Sequence, residues 1–117
     1  MTPNKAIERV NSVAPDVYSD ENKLQWISEL DGMVKRLVYQ ETEFEPYKYP
    51  EDMDTELLVT APFEGVYEAY IMAKVDFCNR EWQKYNNSAS SFHAMFEDYK
   101  KAYIRENMPK PAGSLRI

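Results

Sequence analysis

Between Asp20 and Glu41 the apolar residues Leu24, Ile27, Leu30, Val34, Leu37 and Val38 follow one another at intervals of three, three, four, three and one. That spacing reads as an α-helix with one dry face. Ser19-Asp20 supplies the start signal, a side-chain oxygen ahead of the first turn. Trp26 and Met33 fall on the flank of the stripe and widen the dry arc to about half the circumference, at about 100° per residue. An arc that wide touches two neighbouring helices, so the rest of the chain must supply them.

Thr2 before Pro3 starts a short helix with the stripe Ala6, Ile7, Val10 and Ala14, ended by Pro15. Residues 43–61 break the period with Pro46 and Pro50 and the cluster Glu51, Asp52, Asp54 and Glu56, which makes them a long connection. Within it Leu57-Leu58-Val59 lies extended, as a short strand or, in the favoured reading, as an apolar strap. Pro62 opens a third helix, expected over 62–86, with Phe63, Val66, Tyr67, Tyr70, Ala73 and Phe77 on its main face. Asn86-Asn87-Ser88 reads as a tight break with Ser88 as cap. Phe92, Met95, Phe96, Tyr99 and Tyr103 then define a fourth helix ending near Met108-Pro109, antiparallel to the third because the break is short. The sequence therefore predicts an all-α fold of about four helices, two or three of them long, with a long partly extended connection between the second and third. Residues 1–108 form the single helical domain, and 109–117 a C-terminal tail that is either frayed or a docking arm.

A chain of 117 residues is large enough to hold a core without disulfides or a metal. With 44% hydrophobic and 29% charged residues it has a foldable composition. Its one cysteine, Cys78, excludes an internal disulfide and sits among apolar neighbours, where a buried inert thiol is expected. Met1-Thr2-Pro3-Asn4-Lys5 lacks the apolar core of a signal peptide, and no run approaches the roughly 18 apolar residues that span a bilayer. A cytosolic origin is expected. The formal charge of −6 argues against binding that depends on a phosphate backbone, and Lys100-Lys101 is too small a patch to reverse it.

No residue set suggests catalysis, a cofactor or a metal. His93 is the only histidine, so neither a triad nor a two-His metal site can be assembled around it in the usual way. Cys78 has no recognisable activating base. The acids of 51–56 have oxygen atoms suited to a hard cation, but lack the Gly and the twelve-residue ligand spacing of an EF-hand; a solvated loop is the better reading. Gly32, Gly65 and Gly113 are the only glycines and make no phosphate cradle. A structural or interactional role follows, not an enzyme.

The third helix carries a second stripe, Ile71, Val75, Cys78 and Trp82, spaced four, three and four. Either this is the central helix of the subunit, covered on both sides, or the second stripe meets another chain. Ile71, Val75 and Trp82 are the candidate interface residues, at a subunit or partner contact or beneath the 43–61 strap, since exposed tryptophan is enriched at interface centres. Two charges also fall in apolar faces: Asp31 between Leu24 and Val38, and Lys74 between Phe63 and Tyr67. They either pair in the seam between helices two and three, or Lys74 snorkels to water while Asp31 sits at the rim.

From Asp20 to Met108 the chain resembles short proteins encoded in the structural modules of tailed phages and prophages of Gram-positive bacteria. The residues that carry this are Trp26-Ile27-Ser28-Glu29-Leu30-Asp31-Gly32, Glu56-Leu57-Leu58-Val59-Thr60-Ala61-Pro62-Phe63 and Tyr85-Asn86-Asn87-Ser88. Those proteins are related to head–tail connector, or adaptor, subunits. The resemblance implies a virion assembly component that forms a homo-oligomeric ring under the portal, contacts portal and neck or tail proteins, and lets DNA pass without sequence readout. It implies no membrane partner, a place in the host cytoplasm during assembly and then in the virion, and no catalytic motif. An acidic balance suits a channel that transmits DNA without holding it. The competing reading is a small cytosolic helical interaction module with no virion role.

Overall fold

Thr2 accepts the Lys5 N–H at 3.2 Å and Ser19 the Asn22 N–H at 3.1 Å, so both predicted caps start their helices. The computed structural model describes residues 1–107 as an all-helical fold with no strand among them. Helix α1 is Pro3–Val13, α2 Asp20–Met33, α3 Gly65–Cys78 and α4 Trp82–Asn107, and a π-helical turn, Val34–Val38, continues α2. The expected tail, 109–117, lies outside the described residues.

Helix α3 is the centre of the fold, packed against α4, α2 and α1. Its pairing with α4 is antiparallel: Phe63, just before α3, packs against Tyr99, Tyr70 against Phe92 and Phe77 against Tyr85, with the rings tilted. Buried Ala6, Ile7 and Val10 of α1 join Leu24, Ile27 and Leu30 of α2, Val66, Tyr67 and Ile71 of α3, and Phe92, Phe96 and Tyr99 of α4 in one core. At about 25 cal/mol per Å2 of apolar surface removed from water, this cluster is what holds the helices together.

The boundary between the last two helices is not at Asn86-Asn87-Ser88. Helix α3 stops at Cys78, well short of residue 86, and those three residues lie inside α4. Arg80 adopts φ 59°, with its N–H donating to Phe77 O at 3.0 Å and the Glu81 N–H to Asp76 O at 3.0 Å. That is a Schellman ending with arginine where glycine is usual, so no sequence signal marks it. Ser88 is not a cap; its hydroxyl lies 2.9 Å from Asp76 Oδ2 and 3.0 Å from Lys84 O within the helix.

The second helix also ends earlier than residue 41. After Met33 the ladder widens to a π turn, closed by Tyr39 N–H on Val34 O at 3.0 Å, and Gln40 at φ 58° terminates it. The extra residue per turn rotates Leu37 out of the predicted stripe, leaving it 48% exposed, while Val34 and Val38 stay buried. Residues 40–64 form the strap. It has no ladder of its own, yet Met53, Leu57 and Val59 are in the core.

One buried ion pair was not anticipated. Lys23 and Asp16 side chains are 2% and 3% exposed, Nζ to Oδ1 2.9 Å, and Lys23 also donates to Asn11 Oδ1 at 2.7 Å. The pair fixes the corner between α1 and α2, where Tyr18 N–H donates to Asp16 Oδ1 at 2.9 Å.

Candidate functional site

Asp31 sits on the dry face of α2 and is fully buried, so its carboxylate must find donors inside the protein. Tyr67 of α3 donates to Oδ1 at 2.6 Å; Tyr47 and the Leu58 N–H of the strap donate to Oδ2 at 2.6 and 3.2 Å. Three elements are thereby joined at one side chain. Burial pushes the Asp31 carboxyl above its ordinary 3.8, and the hydrogen bonds from Tyr47, Tyr67 and Leu58 only partly offset it. Burial likewise raises the Tyr47 and Tyr67 hydroxyls, reinforced by the neighbouring charge of Asp31, so both remain donors at neutral pH.

The strap is held at further points around this hub. Ser28 Oγ accepts the Tyr47 N–H at 2.9 Å, Tyr67 Oη accepts the Val59 N–H at 2.8 Å, and Tyr39 donates to Leu58 O at 3.3 Å. At its middle, Met53 O accepts the Asn4 N–H at 3.0 Å, and Met1 O accepts the Leu57 N–H at 2.9 Å.

Lys74 does not reach Asp31. It pairs with Glu29 at 3.1 Å, one third exposed, and lies 5.5 Å from the Tyr70 ring centroid. Nor is Asp31 at the rim: the tyrosines and the strap amide replace water there, which is why a buried carboxylate persists without a cation.

The candidate interface residues separate. Ile71 and Val75 are buried in the core of the subunit, because α3 is central and neighbours cover both its sides. Trp82 is 53% exposed and opens α4, so the three do not share one helix face. Its ring packs edge-on against Phe77 at 5.5 Å and Tyr85 at 6.5 Å, and Phe77 is itself 49% exposed. This aromatic end continues into a groove of about 310 Å3 lined by Met33, Tyr70, Phe92 and His93 along with Phe77 and Tyr85.

No family model, curated protein or solved structure matches this chain.

Cys78 is exposed at the end of α3, not buried, because the helix ends there and turns away from the core. His93 is exposed on α4 beside Phe92. The acids of 51–56 hold the loop to itself and to the N-terminal segment: Asp52 accepts the Lys48 N–H at 2.7 Å, Asp54 the Asn4 side-chain amide at 2.8 Å, and Glu56 pairs with the Met1 ammonium at 2.8 Å. Among the described residues no group of three or more His, Cys, Asp or Glu is placed to hold a metal ion, and no helix is long and apolar enough to cross a membrane. Charge is unevenly placed. Residues 41–56 hold seven carboxylates against Lys48, so they carry the whole formal charge of −6 and the remainder of the chain balances.

Sequence reasoning did not reach Phe77 and Tyr85 as companions of Trp82: one helix over 62–86 puts Phe77 on its main face and Trp82 on its second stripe, whereas α3 ends at Cys78 and Trp82 and Tyr85 open α4. The hub had a signal: Ser28 and Asp31 are polar residues three apart on an otherwise dry stripe, a pattern that calls for internal partners. Nothing in the sequence named Tyr47 as one of them.

Proposed function

We propose that this protein is a virion assembly component of a tailed phage or prophage, a head–tail connector or adaptor subunit that forms a ring under the portal. The observation that carries the reading is that two of the phrases on which the resemblance rests are one structural device. Ser28 and Asp31 of the first grip Tyr47 and Leu58, and Leu58 belongs to the second. The phrases therefore encode one device, a strap clamped across a helical core.

In this role the protein is a binding subunit and not an enzyme. Its partners are further copies of itself, the portal, and neck or tail proteins, in the host cytoplasm during assembly and then in the virion. DNA passes without sequence readout. The charge concentrated in 41–56 supports this, since carboxylates facing a lumen repel phosphates. The exposed Phe77 and Trp82, with the half-buried Tyr85 beside them, supply the apolar anchors a protein contact needs.

Electron microscopy of the protein mixed with its cognate portal tests the proposal: rings stacked on the portal are expected, and portals that stay bare at high subunit excess refute it. The aromatic end also fits a second reading, a small interaction module for one protein partner with no virion role. A one-to-one complex with a host protein, alongside bare portals, would favour that.

A further inference from the structure

The α3–α4 pair is flanked by two grooves. The one described above lies toward α2, bounded there by Met33, and ends in the exposed rings of Phe77 and Trp82. The other, enclosing about 520 Å3, lies toward the end of α1. Ala14, Ala69 and Met72 supply its apolar lining, with Ser91 on the α4 side. The chain around Ala14 adds further apolar surface, since Val13 is 72% exposed and Val17 90%. Two charged residues line this groove. Lys84 is taken up by Glu81 at 3.2 Å, whereas Asp76 accepts only from a neutral group in the groove, the Ser88 hydroxyl at 2.9 Å, so a carboxylate is the charge the groove presents.

We propose that this α1-side groove receives the Phe77–Trp82 knob of a second copy of the chain. The subunit carries both halves of one contact, a protruding apolar surface on one flank of α3–α4 and an apolar recess on the other. Joined between copies, two unlike surfaces make a heterologous, head-to-tail contact, the kind that generates rings. The knob is built for insertion: Trp82 is braced edge-on by Phe77 at 5.5 Å and Tyr85 at 6.5 Å, so it has little freedom left to lose on docking. Alanine at two positions of the recess keeps its lining low enough to admit an indole. The charges match as well, because Arg80, exposed in the turn between Phe77 and Trp82, brings a guanidinium to a groove that presents Asp76. The inference rests on the proposed ring and names the two surfaces that build it.

Nuclear magnetic resonance titration of the full-length protein tests it without a portal. Trp82→Ala keeps the groove and lacks the knob, whereas Ser91→Arg, at an exposed position, keeps the knob and lays a cation across the groove. Unlabelled parent added to isotope-labelled Trp82→Ala should shift the Ala14, Met72 and Ser91 amides, and unlabelled Trp82→Ala should leave them in place. In labelled Ser91→Arg, added parent should shift the Trp82 indole N–H but not Ala14 or Met72. Groove amides that stay unmoved when parent is added would overturn the proposal and leave the knob to another partner. Equal shifts from parent and from Trp82→Ala would also overturn it, because something other than Trp82 would then enter the groove. The two readings fail separately: groove shifts with portals left bare refute the ring and keep the contact, and rings on the portal with unmoved groove amides do the reverse.

Discussion

Tyr67 stands between Asp31 and Val59: its hydroxyl donates to Asp31 Oδ1 at 2.6 Å and accepts the Val59 N–H at 2.8 Å. One buried oxygen thus links the middle of α2 to the strap through the central helix, and all three residues are fully buried.

Removing that oxygen should be costly. Tyr67→Phe leaves a buried amide and a buried carboxylate oxygen each without a partner, at about 1 to 3 kcal/mol apiece. Urea unfolding should show a loss on the order of 3 kcal/mol at unchanged m-value. Tyr47→Phe, at a half-buried position with Leu58 still donating to Oδ2, should cost less.

The pH dependence follows from the raised carboxyl of Asp31. The folded state holds a proton at pH values where the unfolded chain, near 3.8, has released it. The Asp31 contribution to stability therefore rises as pH falls from neutral through the raised pKa and levels off below the unfolded value. Asp31→Asn removes this dependence. The stability difference between parent and variant, measured by urea titration from pH 7 to pH 4, should shift in favour of the parent on acidification; a flat difference would contradict the assignment.

The Lys23–Asp16 pair makes a different prediction. Lys23→Met strands a buried carboxylate and should cost about 3 to 5 kcal/mol, whereas Asp16→Leu/Lys23→Met, which removes both charges, should recover most of that loss. A loss in the double variant equal to the sum of the Asp16→Leu and Lys23→Met losses, by thermal unfolding, would mean the two charges act independently.

Two surface changes test the α3–α4 boundary. Arg80→Gly should stabilise by up to about 1 kcal/mol, because Arg80 holds a left-handed conformation that glycine adopts without strain. Asn87→Ala should stabilise by a few tenths of a kcal/mol, as expected of a residue inside a helix and not of one in a turn. A loss from either substitution would argue for the boundary at 86–88.

Much of the fold was legible because it is written in helical period and caps. Thr2, Ser19 and the Leu24 to Val34 stripe place α1 and α2, and Phe92, Phe96 and Tyr99 place the inner face of α4. What escaped was set by tertiary contacts. Arg80 ends a helix without glycine or proline, and Asn86-Asn87-Ser88 are carried through a helix by the packing of Tyr85 on Phe77 and of Ser88 on Asp76. Asp31 was recognised as misplaced in its stripe, but its partners lie 16, 27 and 36 residues away, beyond any local pattern. The aromatic end was half legible: Trp82 could be singled out, whereas Ile71 and Val75 joined it only under a helix that continues past Cys78.

The proposed assembly through this aromatic end is tested most directly by the binding of Trp82→Ala to the cognate portal. Trp82 is half exposed, so truncation should cost folding on the order of 1 kcal/mol. Sedimentation of portal with each subunit should show the parent bound and Trp82→Ala at least about tenfold weaker, as for an interface anchor. Trp82→Ala bound as tightly as the parent would contradict the claim.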